Sequence, residues 1–166
     1  MKLIKLGLIS LVAFALLITF ISFFFPSHVR ISRAVDIQAP KDSVWNRIKD
    51  PARWREWYPG GDSLPVIYVY AKAAGIGIKD EKGLLLKDIT DSTVTAEEFG
   101  AARSRITSGW QCYEGYRPGT VTIQWFMDFR LRWYPWEKFS SLLLDKRFGT
   151  MMESGLEKLQ QAATKK

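Results

Sequence analysis

Three hydrophobic patterns divide the 166-residue chain. The first is continuous: residues 6–25 carry no charge and are flanked by Lys2 and Lys5 before, and by Pro26, Arg30 and Arg33 after. As a helix rising 1.5 Å per residue, that run spans roughly 30 Å, the thickness of a bilayer's hydrocarbon core. A cleaved signal peptide is the competing reading. Its apolar stretch is usually shorter and ends in a small-x-small site, whereas this run ends Phe23-Phe24-Phe25-Pro26. The expectation is an uncleaved single-pass anchor over residues 1–25, with the domain of residues 26–166 held against the bilayer. Basic residues flank both ends, so the orientation rests on a slight bias. It favours a short cytoplasmic tail and an exported domain, which would be periplasmic in a bacterium.

The second pattern is alternation. Val29, Ile31, Val35 and Ile37 recur at every second position, as in a strand with one face buried. Arg33 falls on that same apolar face, where a charge needs a partner or a wet cavity. The favoured expectation is an irregular strand end whose side chain reaches solvent or headgroups; the alternative is an inward charge with a partner. Further strands are expected over residues 64–70, 75–78, 84–89, 93–99, 103–114 and 120–133, with a hairpin turn at residues 80–83. In the last of them, Val121, Ile123, Trp125, Met127, Phe129 and Leu131 face one way. Thr122, Gln124, Asp128, Arg130 and Arg132 face the other, with Phe126 interrupting the polar set. Such alternation places one face on a core and the other in water.

The third pattern has helical spacing. From residue 138 to 161, Phe139, Leu142, Leu143, Phe148, Met152, Leu156 and Leu159 fall three and four apart. Gly149 and Gly155 lower helix propensity there and predict a bend or a close approach to the sheet. Between the first and second strands lie two short helical segments. Ala39-Pro40 starts one that buries Val44, Trp45 and Ile48. Asp50-Pro51 starts another, since Asp is a good N-cap and Pro suits the first helical position. This second helix is expected to carry Trp54, Trp57 and Tyr58 on one face until Pro59-Gly60-Gly61 ends it.

The run Ala39-Pro40-x-x-x-Val44-Trp45, followed by Asp50-Pro51-x-x-Trp54-x-x-Trp57-x-Pro59, resembles the opening of the START-like (SRPBCC) superfamily. More narrowly, it is similar to its polyketide cyclase/dehydrase and lipid-transport group, over residues 29–161. The resemblance implies an α+β helix-grip fold: a curved antiparallel sheet of about seven strands wrapped on a long C-terminal helix, with two small helices after the first strand. It also implies a cavity between sheet and helix for an apolar ligand, a hydrophobic small molecule or lipid.

Composition narrows the chemistry. Aromatic residues make up 14% of the chain, with seven Trp, which suits a β-rich fold that buries large rings. The net charge is +7, and the 24 basic residues fall to 22 against 17 acidic ones once Lys2 and Lys5 are set aside. That mild excess suits a neighbour of anionic headgroups. No basic run with interleaved aromatics marks a nucleic-acid site. One Cys and one His give no zinc spacing, and Gly75-Ile76-Gly77 is too short for a phosphate loop, so no cofactor is expected. His28 lies beside the apolar segment, the wrong place for a general base. Asp128 and Arg130 are expected as a solvated pair. Glu97 and Glu98 point to opposite sides of their strand; the expectation is surface carboxylates, with an inward one as the alternative.

The candidate ligand-lining residues are Trp54, Tyr58, Trp110, Trp125, Phe129 and Met152. Each is equally readable as plain core. The leading functional expectation is a membrane-anchored domain that binds or transfers a lipid-like molecule. A polyketide cyclase/dehydrase-like enzyme would need a positioned acid or base in the cavity. A non-catalytic interaction module would need Trp54, Trp57 and Tyr58 exposed.

Overall fold

The computed structural model describes residues 2–78, 81–100 and 106–165. Helix α1 (Lys2–Ser22) is long and apolar enough to cross a membrane, and its membrane-length window is not buried against the domain. A signal sequence would have the same features. After it come strand β1 (His28–Ile37), helix α2 (Lys41–Lys49) and a 3-10 turn at Pro51–Glu56. The sheet continues through β2 (Val66–Val69), β3 (Lys72–Ile78), β4 (Lys82–Ile89), β5 (Thr93–Phe99), β6 (Ile106–Glu114) and β7 (Val121–Arg130). Helix α3 (Pro135–Ser140), a single 3-10 turn (Ser141–Leu143) and the long helix α4 (Leu144–Thr164) complete the chain.

All seven strands join one antiparallel sheet in the order β1-β7-β6-β5-β4-β3-β2. Strand β1 therefore pairs with the last strand, Val35 opposite Ile123 and Arg33 opposite Trp125. The alternation of β1 and β7 holds: Ile31, Ile37, Val121, Ile123, Trp125, Met127 and Phe129 are buried. This is the helix-grip architecture, with α4 lying across the inner face of the sheet beside β1 and β7.

Both helical glycines lie at close approaches, as expected. A Cβ at Gly155 would come within 2.7 Å of Trp125 Cζ3 and 3.0 Å of Pro59 Cδ, and one at Gly149 within 2.5 Å of Arg33 Nη2. Arg33 is inward on a regular strand, and its partners are on α4. Its Nε donates to Glu153 Oε1 at 2.6 Å and its Nη2 to Asp145 Oδ1 at 3.0 Å. Against the favoured expectation the strand is regular here, and the charge is balanced on the part-exposed border where strand meets helix.

Several expectations need correction. The second small helix is a six-residue 3-10 turn, and Trp57 already leaves it with φ −139°. Asp50 caps its start through the Ala52 N–H at 3.0 Å, and its end comes where the Trp57 and Tyr58 N–H groups both fold back on the Trp54 carbonyl, ahead of Pro59 and of Gly60 with φ 78°. Strand β7 stops at Arg130, three residues early, because the Arg132 N–H turns to Glu137 Oε2 at 2.7 Å. The strand expected to start at Gly75 begins at Lys72, after a hairpin turn at Tyr70 and Ala71 with φ of 49° and 62°. Such turns usually advertise themselves with Asn or Gly, and this one does not. Asp128 pairs with Arg30 across β1 rather than with Arg130 along its own strand. The helix expected at residues 138–161 is three consecutive pieces reaching Thr164. Of the expected features, Asp80 in the hairpin turn and Arg103 to Arg105 lie outside the described residues.

Candidate functional site

The small helices and the sheet bring four of the six predicted residues into one aromatic cluster. Trp54 and Tyr58 arrive from the 3-10 turn and the residues after it; Trp110 and Trp125 are cross-strand partners on β6 and β7. Ring centroids lie 5.5 Å apart for Trp54 and Tyr58, 5.3 Å for Trp54 and Trp110, 5.4 Å for Tyr58 and Trp125, and 5.6 Å for Trp110 and Trp125. Trp57 is a fifth member that the prediction left out, 5.8 Å from Trp110. Trp54, Trp110 and Trp125 are fully buried and Trp57 nearly so. Burying one such ring removes about 150–250 Å² from water, or roughly 4–6 kcal/mol at about 25 cal/mol per Å² before the entropy cost.

Phe129 is buried elsewhere, its ring 5.0 Å from that of Phe148 on α4. Met152 is buried on α4 one turn before Gly155. Both belong to the core, but neither joins the ring cluster.

The rings differ in what their N–H groups do. Trp54 donates to the Ile48 carbonyl at 2.8 Å and Trp57 to the Arg47 carbonyl at 3.2 Å. Both carbonyls belong to the last turn of α2, where backbone acceptors have no helical partner. These two indoles therefore act as side-chain caps and hold the 3-10 turn against α2. Trp110 Nε1 and Trp125 Nε1, by contrast, are buried with no hydrogen-bond partner among the described residues. Ser108 Oγ on β6 shares that condition and is 1% exposed.

Beside Tyr58, which was among the predicted residues, stand two polar members that were not: Ser108, which was not named, and Glu98, which was expected at the surface. Val94 and Ala96 are buried on β5, so alternation places Glu98 on the same inner face. Glu97 faces outward and pairs with Lys87. The Tyr58 hydroxyl is pushed well above the ordinary tyrosine value, first by burial and then by the negative charge of Glu98; Ser108 eases the shift. That serine lies beside the hydroxyl without completing a hydrogen bond of normal geometry. Tyr58 is thus a neutral hydrogen-bond donor at any physiological pH. Burial also pushes the Cys112 thiol up, against the pull of Lys41 and Lys49. The sequence signal for Glu98 and Ser108 was the period of two on their strands.

His28 heads β1 and is exposed, away from this interior. A separate open groove lies at the far end of the sheet, lined by Asp36, Gln38, Tyr116, Arg117, Gln160 and Thr164. None of the predicted ligand residues borders it.

A family described as polyketide cyclase / dehydrase and lipid transport matches residues 28–164. The chain belongs to this family. Its match begins at β1 and ends at the last residue of α4, so it covers the sheet, the caps and the long helix together. No curated protein matches the sequence. A solved structure from Nitrosospira multiformis superposes with a TM-score of 0.61 at 15% identity, over 82% of this chain and 97% of its own. The di-domain ARO/CYC protein BexL of the BE-7585A biosynthetic pathway gives 0.59 at 14% identity, over 84% of this chain and 51% of its own. A norcoclaurine synthase point mutant from Thalictrum, solved with a transition-state analogue, gives 0.55 at 7% identity, over 81% and 95%. At these identities the likeness is one of fold.

Proposed function

We propose that residues 26–166 bind a hydrophobic, lipid-like molecule carrying a hydrogen-bond acceptor, while α1 tethers the domain to a bilayer and leaves it on the outer side. The observation that carries this reading is that three of the five buried side-chain donors without a partner among the described residues, Trp110 Nε1, Trp125 Nε1 and Ser108 Oγ, lie inside the aromatic interior. An unpaired buried donor costs about 1–3 kcal/mol. A ligand carbonyl or hydroxyl oxygen within reach of the two indoles would recover that cost, while its apolar body gains about 25 cal/mol per Å² buried. Since Trp54, Tyr58, Trp110 and Trp125 pack on one another, entry requires these rings to part. The family's description and the anchor's position both favour a ligand drawn from the membrane.

The test is native mass spectrometry of the full chain released from detergent, before and after incubation with membrane lipid extract. A bound apolar molecule at one per chain, weakened in Trp110→Phe, supports the reading. An unliganded chain in both conditions sinks it.

A second reading has one observation behind it. Tyr58, held neutral beside Glu98, supplies a hydrogen-bond donor and a carboxylate on one inner wall. That pair suits a cyclase- or dehydrase-like step in which a carbonyl is polarised and a proton removed. Turnover of polyketide-like substrates by wild type but not by Glu98→Gln would favour it. The interaction-module reading loses its support, because Trp54 and Trp57 are buried.

A further inference from the structure

Where β7 ends, the chain does not go directly into α4. It first passes through α3 and the following turn, and this passage touches the foot of α1. Lys138, only 4% exposed, donates its ammonium to the Phe25 carbonyl at 2.9 Å and to Ser27 Oγ at 2.6 Å. The Phe25 and Phe139 rings meet edge to face at 5.1 Å. These contacts fix α3 beside the point where the apolar helix leaves the domain.

The rest of the passage is apolar and uncovered. Trp133, Trp136, Leu142 and Leu143 are each more than 60% exposed, as are Phe23 and Phe24 at the end of α1. Tyr134 stacks on Trp136 at 4.8 Å, which widens the aromatic surface. Large apolar side chains gathered on one patch mark an interaction surface rather than ordinary scatter. Trp and Tyr are the residues that favour the boundary between headgroups and hydrocarbon. Beyond Leu144 and Asp145, whose carboxylate pairs with Arg33, Lys146 and Arg147 are exposed, as suits an anionic headgroup layer. Because the patch continues from the foot of α1, the surface that covers the apolar helix reaches the patch as well.

We propose that α3 and the turn Ser141–Leu143 lie in the headgroup layer of the bilayer that α1 crosses, so the domain is held on the lipid surface at two adjoining points. This rests on α1 being a membrane anchor. Its consequence is a fixed tilt: the start of β1, the end of β7 and the first turn of α4 face the lipid, and Tyr116 in the turn between β6 and β7 faces away.

The experiment is depth measurement by electron paramagnetic resonance on the full chain in phosphatidylcholine/phosphatidylglycerol vesicles. A nitroxide is attached through Trp136→Cys, Leu142→Cys, Tyr116→Cys or Leu16→Cys; the native thiol of Cys112 is buried and labels poorly. The expected result is high oxygen and low nickel-chelate access at 16, an oxygen-to-nickel ratio at 136 and 142 between that of 16 and that of 116, and low oxygen with high nickel access at 116. If 136 and 142 behave like 116 while 16 is in lipid, the platform is wrong and the anchor stands. If 16 is aqueous while 136 and 142 are in lipid, the platform stands and the anchor reading falls. If all four positions are aqueous, both fall. Strong spin–spin broadening at 142 with oxygen and nickel both excluded means that a second copy of the chain covers the patch, and the proposal is overturned.

Discussion

Gly155 of α4 crosses Trp125 of β7 so closely that an added methyl would sit 2.7 Å from the indole edge. The ring moves aside only if Trp110 and Tyr58, which pack against it, repack as well, and it has no exposed edge. Gly155→Ala gains about 1 kcal/mol of helix propensity but overpacks the core, at about 1–3 kcal/mol. The net expectation is a loss of up to about 2 kcal/mol, read as a lower midpoint in chemical denaturation. Gly149 is the control. There the obstacle is the end of the Arg33 side chain, which has solvent to move into. Gly149→Ala weakens ion pairs worth about 0–1 kcal/mol while gaining the same propensity, so its midpoint stays near wild type.

The indole N–H groups sort the tryptophans into two roles that substitution separates. Trp54→Phe removes the donor to the Ile48 carbonyl and leaves that acceptor buried without a partner, an added cost of about 1–3 kcal/mol. Trp110→Phe removes a donor that has no partner among the described residues. Both changes leave a similar gap, so the difference between them isolates the hydrogen bond. Thermal unfolding is expected to rank Trp54→Phe clearly below Trp110→Phe; equal destabilisation would mean that the cap contributes little.

How far the sequence discloses this architecture depends on which interaction leaves a periodic trace. The strand faces were legible because burial repeats every second residue. The grip of α4 was legible from two glycines in an otherwise helical pattern. The turn at Tyr70 and Ala71 was not legible, since both residues take positive φ without being Gly or Asn. Nor was the shortening of β7, which depends on one side chain, Glu137, reaching back to the Arg132 N–H. Among the candidate site residues, Trp54, Tyr58, Trp110 and Trp125 converge, while Phe129 pairs with Phe148 instead. Aromatic identity marks what is buried, but only the register decides which rings meet. Ser108 and Glu98 were hardest to weigh, because polar residues on an inner face look like exceptions until their neighbours are known.

Acid should expose the pairing between the first and last strands. Arg30 donates to both carboxylate oxygens of Asp128 at 2.7 Å. Hydrogen bonding to Arg30 holds the Asp128 carboxyl below the ordinary aspartate value, against a smaller opposing effect of burial. A folded value below the unfolded one means the pair's contribution is fully present above about pH 4. It is lost as pH falls through the lower folded value. Asp128→Asn should therefore be less stable than wild type at neutral pH and converge with it in strong acid. Since Arg30 is more than half exposed, the neutral-pH difference is expected to stay near 1 kcal/mol. Parallel stability curves from neutral pH to strong acid would count against this account.

At the alkaline end the sign reverses, and Tyr58 is the residue to follow. Burial, reinforced by the charge of Glu98, raises its hydroxyl above the ordinary value, so the folded chain keeps this proton after the unfolded chain has lost it. Ionisation then favours unfolding, and stability falls as pH rises above about 10. Tyr58→Phe removes that linkage. The substitution should cost little at pH 7, because the hydroxyl makes no complete hydrogen bond with Ser108, and the variant should lose less stability than wild type above pH 10. Glu98→Gln should act in the same direction but more weakly, since it removes only the second cause. If wild type and Tyr58→Phe lose stability in parallel above pH 10, the hydroxyl is not held in the interior beside Glu98, and the cyclase-like reading loses its donor.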